Sequence, residues 1–290
     1  MLTADIAAHI SQTTQKFIDE TAPQLEGWFY PLDMLMFAMT EFFHKSIDAK
    51  GDIAEIGVWK GKSLAFLALL AEPEERIYAM DLFCDDLLEQ TQMNIGKFTS
   101  PEQASRIHYI TGNTANYSTT YLKSLFRNKL RFLHIDAGHE YHEVLHTLTL
   151  AAPLMSDHGN IVMDDYFDRE FPGVHTATID YCYQTTNGLW VPFAAGGNKI
   201  YLANPVYAKQ FQLFLCKDPY FKDTMRLSRI KDSIVLIMQS KLPMKSNVIQ
   251  HIVENQLTGL HSEYFMNELT EKARSHSQTE LAAATVDNQL

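Results

Sequence analysis

The chain has 290 residues, 46% of them hydrophobic, which is enough apolar material for one large domain or one domain with extensions. Asp and Glu number 35 against 24 Lys and Arg, a formal charge of −11, and no basic run forms a stripe for phosphate backbones, which argues against nucleic acid as a partner. The N-terminus has neither a basic leader nor an apolar stretch of signal-peptide length, and no segment is apolar for long enough to cross a bilayer, so a cytoplasmic protein with no membrane partner is expected. Cys84, Cys182 and Cys216 are odd in number and form no C-x-x-C pair, so three reduced thiols in or near the core are expected.

Residues 1–49 read as a helical cap in two pieces. The second covers 31–47, with Leu35, Phe37, Met39, Phe42 and Phe43 supplying much of its apolar surface. Trp28, Phe29 and Tyr30 stand just before it and read first as packing against the sheet edge or a partner subunit, second as lining a cofactor or substrate lid. The same segment is compatible with a homo-oligomer.

Residues 50–204 form the expected core. Residues 53–58 are short, apolar and β-branched, as suits a strand covered on both faces, and Leu64, Leu67, Ala68 and Ala71 then recur at helical spacing. Gly57 and Gly61 lie between them, where glycine permits a tight turn and leaves bare amides for a ligand, beside the unpaired N–H groups of a helix beginning near Lys62. Residues 76–81 read as a second strand ending in Asp81, about twenty residues beyond the turn, where nucleotide-binding α/β folds place a carboxylate for ribose hydroxyls; a helix cap is the alternative. Residues 107–110 make a third strand, followed by the turn-like T-G-N-T around Asn113. Residues 130–136 and 158–165 are the fourth and fifth, with a helix of about fifteen residues between them. Residues 189–194 and 199–203, joined by A-G-G-N, read as an antiparallel hairpin. The alternation predicts an α/β fold: a Rossmann-like, doubly wound, mostly parallel seven-stranded sheet with helical N- and C-terminal additions. In the extension over 205–271, residues 225–230 and 233–238 read as a hairpin or as helix, and 248–269 as helix; 272–290 is expected to be a flexible tail.

Strand ends on one sheet edge converge, so Asp136, Asp164 and Asp165 are expected together beside the glycine turn. Three carboxylates that close repel one another unless a cation lies between them, and an all-oxygen set suits Mg²⁺; a turn plus a helix cap is the alternative for the Asp-Asp pair. His142-Glu143-Val144-Leu145-His146 spells the zinc-peptidase signature H-E-x-x-H. Its position argues against zinc, because Tyr141, Val144, Leu145, Leu148, Ala151, Ala152 and Met155 form the apolar helix face and leave His142, Glu143 and His146 on the solvated side. His134 reads as a satisfied core residue; His158 and His175 flank a turn and a helix start.

The segment E-I-G-V-W-K-G at 55–61 resembles the acidic-x-G-x-x-x-G cofactor loop of class I S-adenosylmethionine-dependent methyltransferases, with Glu55 where a dinucleotide fingerprint needs its first glycine. H-I-D-A-G-H-E-Y, H-G-N-I-V-M-D-D-Y and F-P-G-V resemble the metal-dependent O-methyltransferases that act on sugar hydroxyls of macrolide and related antibiotics, a resemblance spanning roughly 28–203. It implies S-adenosylmethionine as cofactor, with Glu55 near the methionine ammonium, Gly57 and Gly61 near the carboxylate end, and Ser63, Asp81, Asn113 and Asp136 completing the cofactor set. It also implies Mg²⁺ on Asp136, Asp164 and Asp165, with His139 as general base. The expected activity is Mg²⁺-assisted O-methylation of a small hydroxylated acceptor, a sugar or vicinal diol, since a metal-bound hydroxyl is more acidic and an imidazole can take its proton near neutral pH. The readings from other classes are a catalytically silent relative kept for assembly and a zinc peptidase.

Overall fold

The computed structural model describes residues 4–216 and 225–238. The helix expected over 248–269 and the tail from 272 lie outside the described residues. Strands β1 (Asp52–Ile56), β2 (Ile77–Asp81), β3 (Ile107–Thr111), β4 (Leu130–Ile135), β5 (Met155–Met163), β6 (Val191–Gly196), β7 (Lys199–Ala203), β8 (Met225–Ile230) and β9 (Ser233–Met238) form one sheet in the order β3-β2-β1-β4-β5-β7-β6-β9-β8. β3 to β5 pair in parallel, while β7 runs antiparallel to both β5 and β6. Among the described residues nine strands replace the expected seven, because the 225–238 hairpin adds to the edge beyond β6 through a parallel β6–β9 pairing. Its strand-forming residues find a ladder there, which settles the hairpin-or-helix ambiguity.

Every residue of β1 and β4 is buried, as expected of central strands covered by helices on both faces. One face carries α1 (Ala4–Lys16), α2 (Pro31–Ser46), α3 (Lys62–Leu70), α4 (Leu87–Phe98), α5 (Pro101–Ser105) and α9 (Pro205–Leu215). The other carries α6 (Thr119–Leu125), α7 (Tyr141–Ala151) and α8 (Pro172–Asp180). The N-terminal cap is more than an appendage, since α2 buries every residue from Asp33 to His44. Phe37 packs edge-on against Phe132 and His134 of β4, at 4.9 and 5.3 Å between ring centroids. Burying one such ring is worth roughly 1.5–3 kcal/mol, so α2 is an integral layer of the core. Cys182 and Cys216 are buried as expected, but Cys84 is exposed in the loop after β2. No helix among the described residues is long and apolar enough to cross a membrane.

Strand order reverses between β1 and β4, and the crevice at the carboxyl ends of these strands is where ligands bind in open α/β sheets.

Candidate active site

At that crevice β1 ends and the chain turns on Gly57 (φ 86°), where a Cβ would lie 1.8 Å from the carbonyl oxygen of Asp136, so no side chain fits. Two residues on, Trp59 adopts φ 45°, a left-handed conformation that costs a bulky residue on the order of 1–3 kcal/mol. Its surroundings impose it. Asp81 Oδ2 accepts hydrogen bonds from the amides of Val58 and Trp59 at 2.7 and 2.9 Å, and the Thr91 hydroxyl donates to the Trp59 carbonyl. Trp28, 74% exposed, stacks on the Trp59 ring at 5.2 Å, and Lys62 Nζ donates to the Gly27 carbonyl at 3.0 Å, binding the 27–30 strap over the turn. α3 starts behind Gly61 with no side-chain cap, so its first amides remain for a ligand.

Two lobes share Gly57, Asp81 and Asp136. One, of about 450 Å³, runs from Trp28, Tyr30 and Trp59 past Lys62 and Ser63 to His139, Asp164, Asp165 and Phe171. The other, of about 600 Å³, lies between Leu82, the 112–115 loop and His142, Glu143 and His146 of α7. A larger groove of about 900 Å³ between α9 and the β8–β9 hairpin contains none of the glycine-turn or acid-cluster residues.

The acids form two overlapping groups around Asp136, whose potential ligand atoms lie within 4.8 Å of one another: His134, Asp136 and Asp164 inside, Asp136, His139 and Asp165 toward the cleft. Burial and the neighbouring Asp164 push the Asp136 carboxyl up to about 7. Asp164 is held well below the usual carboxylate range: burial opposes its charge, but Lys199 Nζ, which donates to Oδ2, outweighs it. His139 Nε2 lies 2.9 Å from Asp165 Oδ2, misaligned for a hydrogen bond but close enough to raise the imidazole pKa, and its ring stacks on Phe171 at 4.1 Å. Asp165 also accepts from Asn198 Nδ2 at 2.6 Å. A carboxyl left short of positive charge, beside further carboxylates and an imidazole, fits a hard divalent cation.

The structure brings Gly57, Ser63, Asp81, Asn113, Asp136, His139, Asp164 and Asp165 around one crevice, whereas Gly61 is buried against Thr91 and Ile95 and lines neither lobe. Glu55 is fully buried, faces neither lobe, and pairs with His134 Nδ1 at 2.7 Å instead of reaching toward an ammonium group. Asp81 lines both lobes and also shapes the turn, since its carboxylate accepts from the amides of Val58, Trp59 and Phe83. Asn113 caps a short 3₁₀ turn through the Ala115 amide, at 2.8 Å, while lining the larger lobe. His134 is no plain core residue. Burial disfavours its charge, but Asp164 and Glu55 on either side outweigh this and raise its pKa to about 9. Phe29 is buried as packing, whereas Trp28 and Tyr30 are exposed on the cleft. The H-E-x-x-H residues are exposed, as expected, and gather no metal-like cluster among the described residues, yet they wall the larger lobe. Lys199 was missed because a lysine beside a glycine turn reads as a solvated strand end; its place in an otherwise apolar strand was the available signal.

Residues 54–166 match the family described as a methyltransferase domain. No curated protein matches the chain by sequence. Among solved structures, the O-methyltransferase NovP is similar at 14% identity over 68% of this chain and 99% of its own, with a TM-score of 0.49. CalS11, a TDP-rhamnose 3'-O-methyltransferase of calicheamicin biosynthesis, is 15% identical over 69% of this chain and 93% of its own, with a TM-score of 0.45. MycE, from the mycinamycin biosynthetic pathway and solved with Mg, SAH and mycinamycin VI, is 15% identical over 68% of this chain and 54% of its own, with a TM-score of 0.46. With the β3-β2-β1-β4-β5-β7-β6 order and the glycine turn at its switch point, the family match makes residues 54–166 a class I, S-adenosylmethionine-dependent methyltransferase domain.

Proposed function

We propose that the protein is an O-methyltransferase that acts, with Mg²⁺, on a hydroxyl of a small polar molecule such as a sugar or vicinal diol. One observation carries the reading: His139 stands in the smaller lobe beside Asp136, Asp164 and Asp165, directly next to the glycine turn. In this reading Gly57, Ser63 and the first amides of α3, which follow the buried turn at Gly61, receive the amino-acid end of S-adenosylmethionine, and Asn113 with the α7 residues borders its nucleoside. Asp136, shared by both acid groups, with Asp164 and Asp165 would hold the cation. When bound, the cofactor supplies an activated methyl group and the cation acidifies an acceptor hydroxyl.

The chain supplies position and proton transfer. His139, its ring plane set by Phe171 and its Nε2 facing Asp165, accepts the hydroxyl proton at Nδ1. Calorimetric titration of metal-stripped protein with S-adenosylhomocysteine, followed by methyl-transfer assays on methyl glycosides and catechols with and without Mg²⁺, tests the reading. Asp136→Asn is expected to abolish Mg²⁺-dependent turnover while leaving S-adenosylhomocysteine affinity within a few-fold; full turnover in that variant removes the cation from the mechanism.

A further inference from the structure

Both oxygens of Asp164 are already engaged. Oδ1 accepts the Asp165 amide at 2.8 Å, and Oδ2 accepts from Lys199 Nζ and lies 3.6 Å from His134 Nε2. Lys199 is 1% exposed at the first position of β7, and its ammonium lies 5.9 Å from the Phe29 ring centroid. It is further attracted by Asp33 at the start of α2, whose Oδ1 has no hydrogen-bond partner. A buried ammonium among acids fills the role that a divalent cation would fill, and it belongs to the chain itself. The Asp165 carboxylate lines the cleft, where Oδ1 accepts from Asn198 Nδ2 and Oδ2 lies 2.9 Å from His139 Nε2.

We propose that Lys199 is a resident counter-ion that competes with the divalent cation for Asp164, so that cation binding requires Lys199 to release that carboxylate. This rests on the cation-assisted reading above and adds a positioning residue that sets the affinity of the site. Lys199 acts through Asp164 and does not itself reach the cleft. In its presence Asp136 and Asp165 carry the binding, and Asp164 contributes little net affinity because each ion displaces the other.

Mn²⁺ titration followed by electron paramagnetic resonance, on the full chain saturated with S-adenosylhomocysteine, tests this. Lys199→Met is expected to tighten Mn²⁺ binding at least tenfold, and Lys199→Arg to restore wild-type affinity. Asp164→Asn is expected to weaken binding less than threefold in the native background and more than tenfold in the Lys199→Met background. Unchanged or weaker Mn²⁺ binding in folded Lys199→Met overturns the proposal. Should that variant fail to fold, the native background decides: equal losses from Asp164→Asn and Asp165→Asn overturn the competition, whereas a loss confined to Asp165→Asn upholds it. If S-adenosylhomocysteine binds but Mn²⁺ binds to neither wild type nor Lys199→Met, the cation-assisted reading falls and the competition with it. Tight Mn²⁺ binding by wild type with no response to Lys199→Met defeats the competition alone.

Discussion

Strand β4 carries a buried ion network toward each end, and the two are built differently. Near its start, Arg131 donates to Glu41 at 2.6 Å and to both oxygens of Glu75 at 2.5 and 2.7 Å, with His44 Nδ1 at 2.9 Å; Lys45 lies 3.3 Å from Glu41. Toward its end, Asp33, Glu55, Asp136, Asp164 and Asp165 outnumber Lys199, His134 and His139, and Asp33 Oδ1, Glu55 Oε2 and His134 Nε2 lack hydrogen-bond partners. The first network sets Glu41 and Glu75 against Arg131 and Lys45, so charge matches charge even though Glu41 Oε1 lacks a hydrogen bond, and it borders a groove away from the glycine turn lined by His44, Lys45 and Glu75. The second has surplus acid and opens on the cleft. A balanced buried network holds structure together, while an unbalanced one at a strand end is poised for a ligand.

That contrast can be broken most forcefully at Arg131. Arg131→Met leaves Glu41 and Glu75 buried without their partner and is expected to cost about 3–5 kcal/mol of stability, read by urea unfolding. A loss below about 1 kcal/mol would mean that this end is no more committed to structure than the other. His139→Gln should do the opposite, leaving the unfolding midpoint nearly unchanged and lowering turnover about 10²–10⁴-fold. Asp165 raises the His139 pKa above its ordinary 6.5, and a base must be neutral to accept a proton. Wild-type activity is therefore expected to climb through a point above pH 6.5, and a pH–rate profile still rising there in His139→Gln would assign the limb to another group.

The smallest effect is the pH dependence of stability. His134 is raised from 6.5 to about 9, so its contribution is fully present below the unfolded value and is lost as pH rises through about 9. The shift corresponds to at most about 3 kcal/mol. The melting temperature should accordingly fall between pH 7 and 9.5 in the wild type and stay flatter in His134→Gln. The Arg131 network adds no such slope, since a guanidinium keeps its proton throughout that range. Parallel pH profiles for wild type and His134→Gln would show that Glu55 and Asp164 do not hold a charged ring between them.

Much of the architecture was legible because its signals are local. Apolar β-branched runs ending in acid marked the strands, Gly57 and Gly61 marked the turn, and helical spacing put His142, Glu143 and His146 on an exposed face. Alternating strands and helices then implied a parallel sheet, and a parallel sheet carries its strand ends, and so Asp81, Asp136 and Asp164, to one edge. The partners were not legible, because they depend on which strands become neighbours and in what register. Glu55 meets His134 across 79 residues because β1 and β4 adjoin with those two residues opposed. Lys199 meets Asp164 because β7 returns antiparallel beside β5, with Met163 opposite Ile200. Sequence by itself determined that carboxylates would converge beside a glycine turn, since chain direction and periodicity dictate where strand ends fall. Only the tertiary structure decided which of them are already neutralised by the protein's own cations, since that balance depends on side chains brought together from distant parts of the chain.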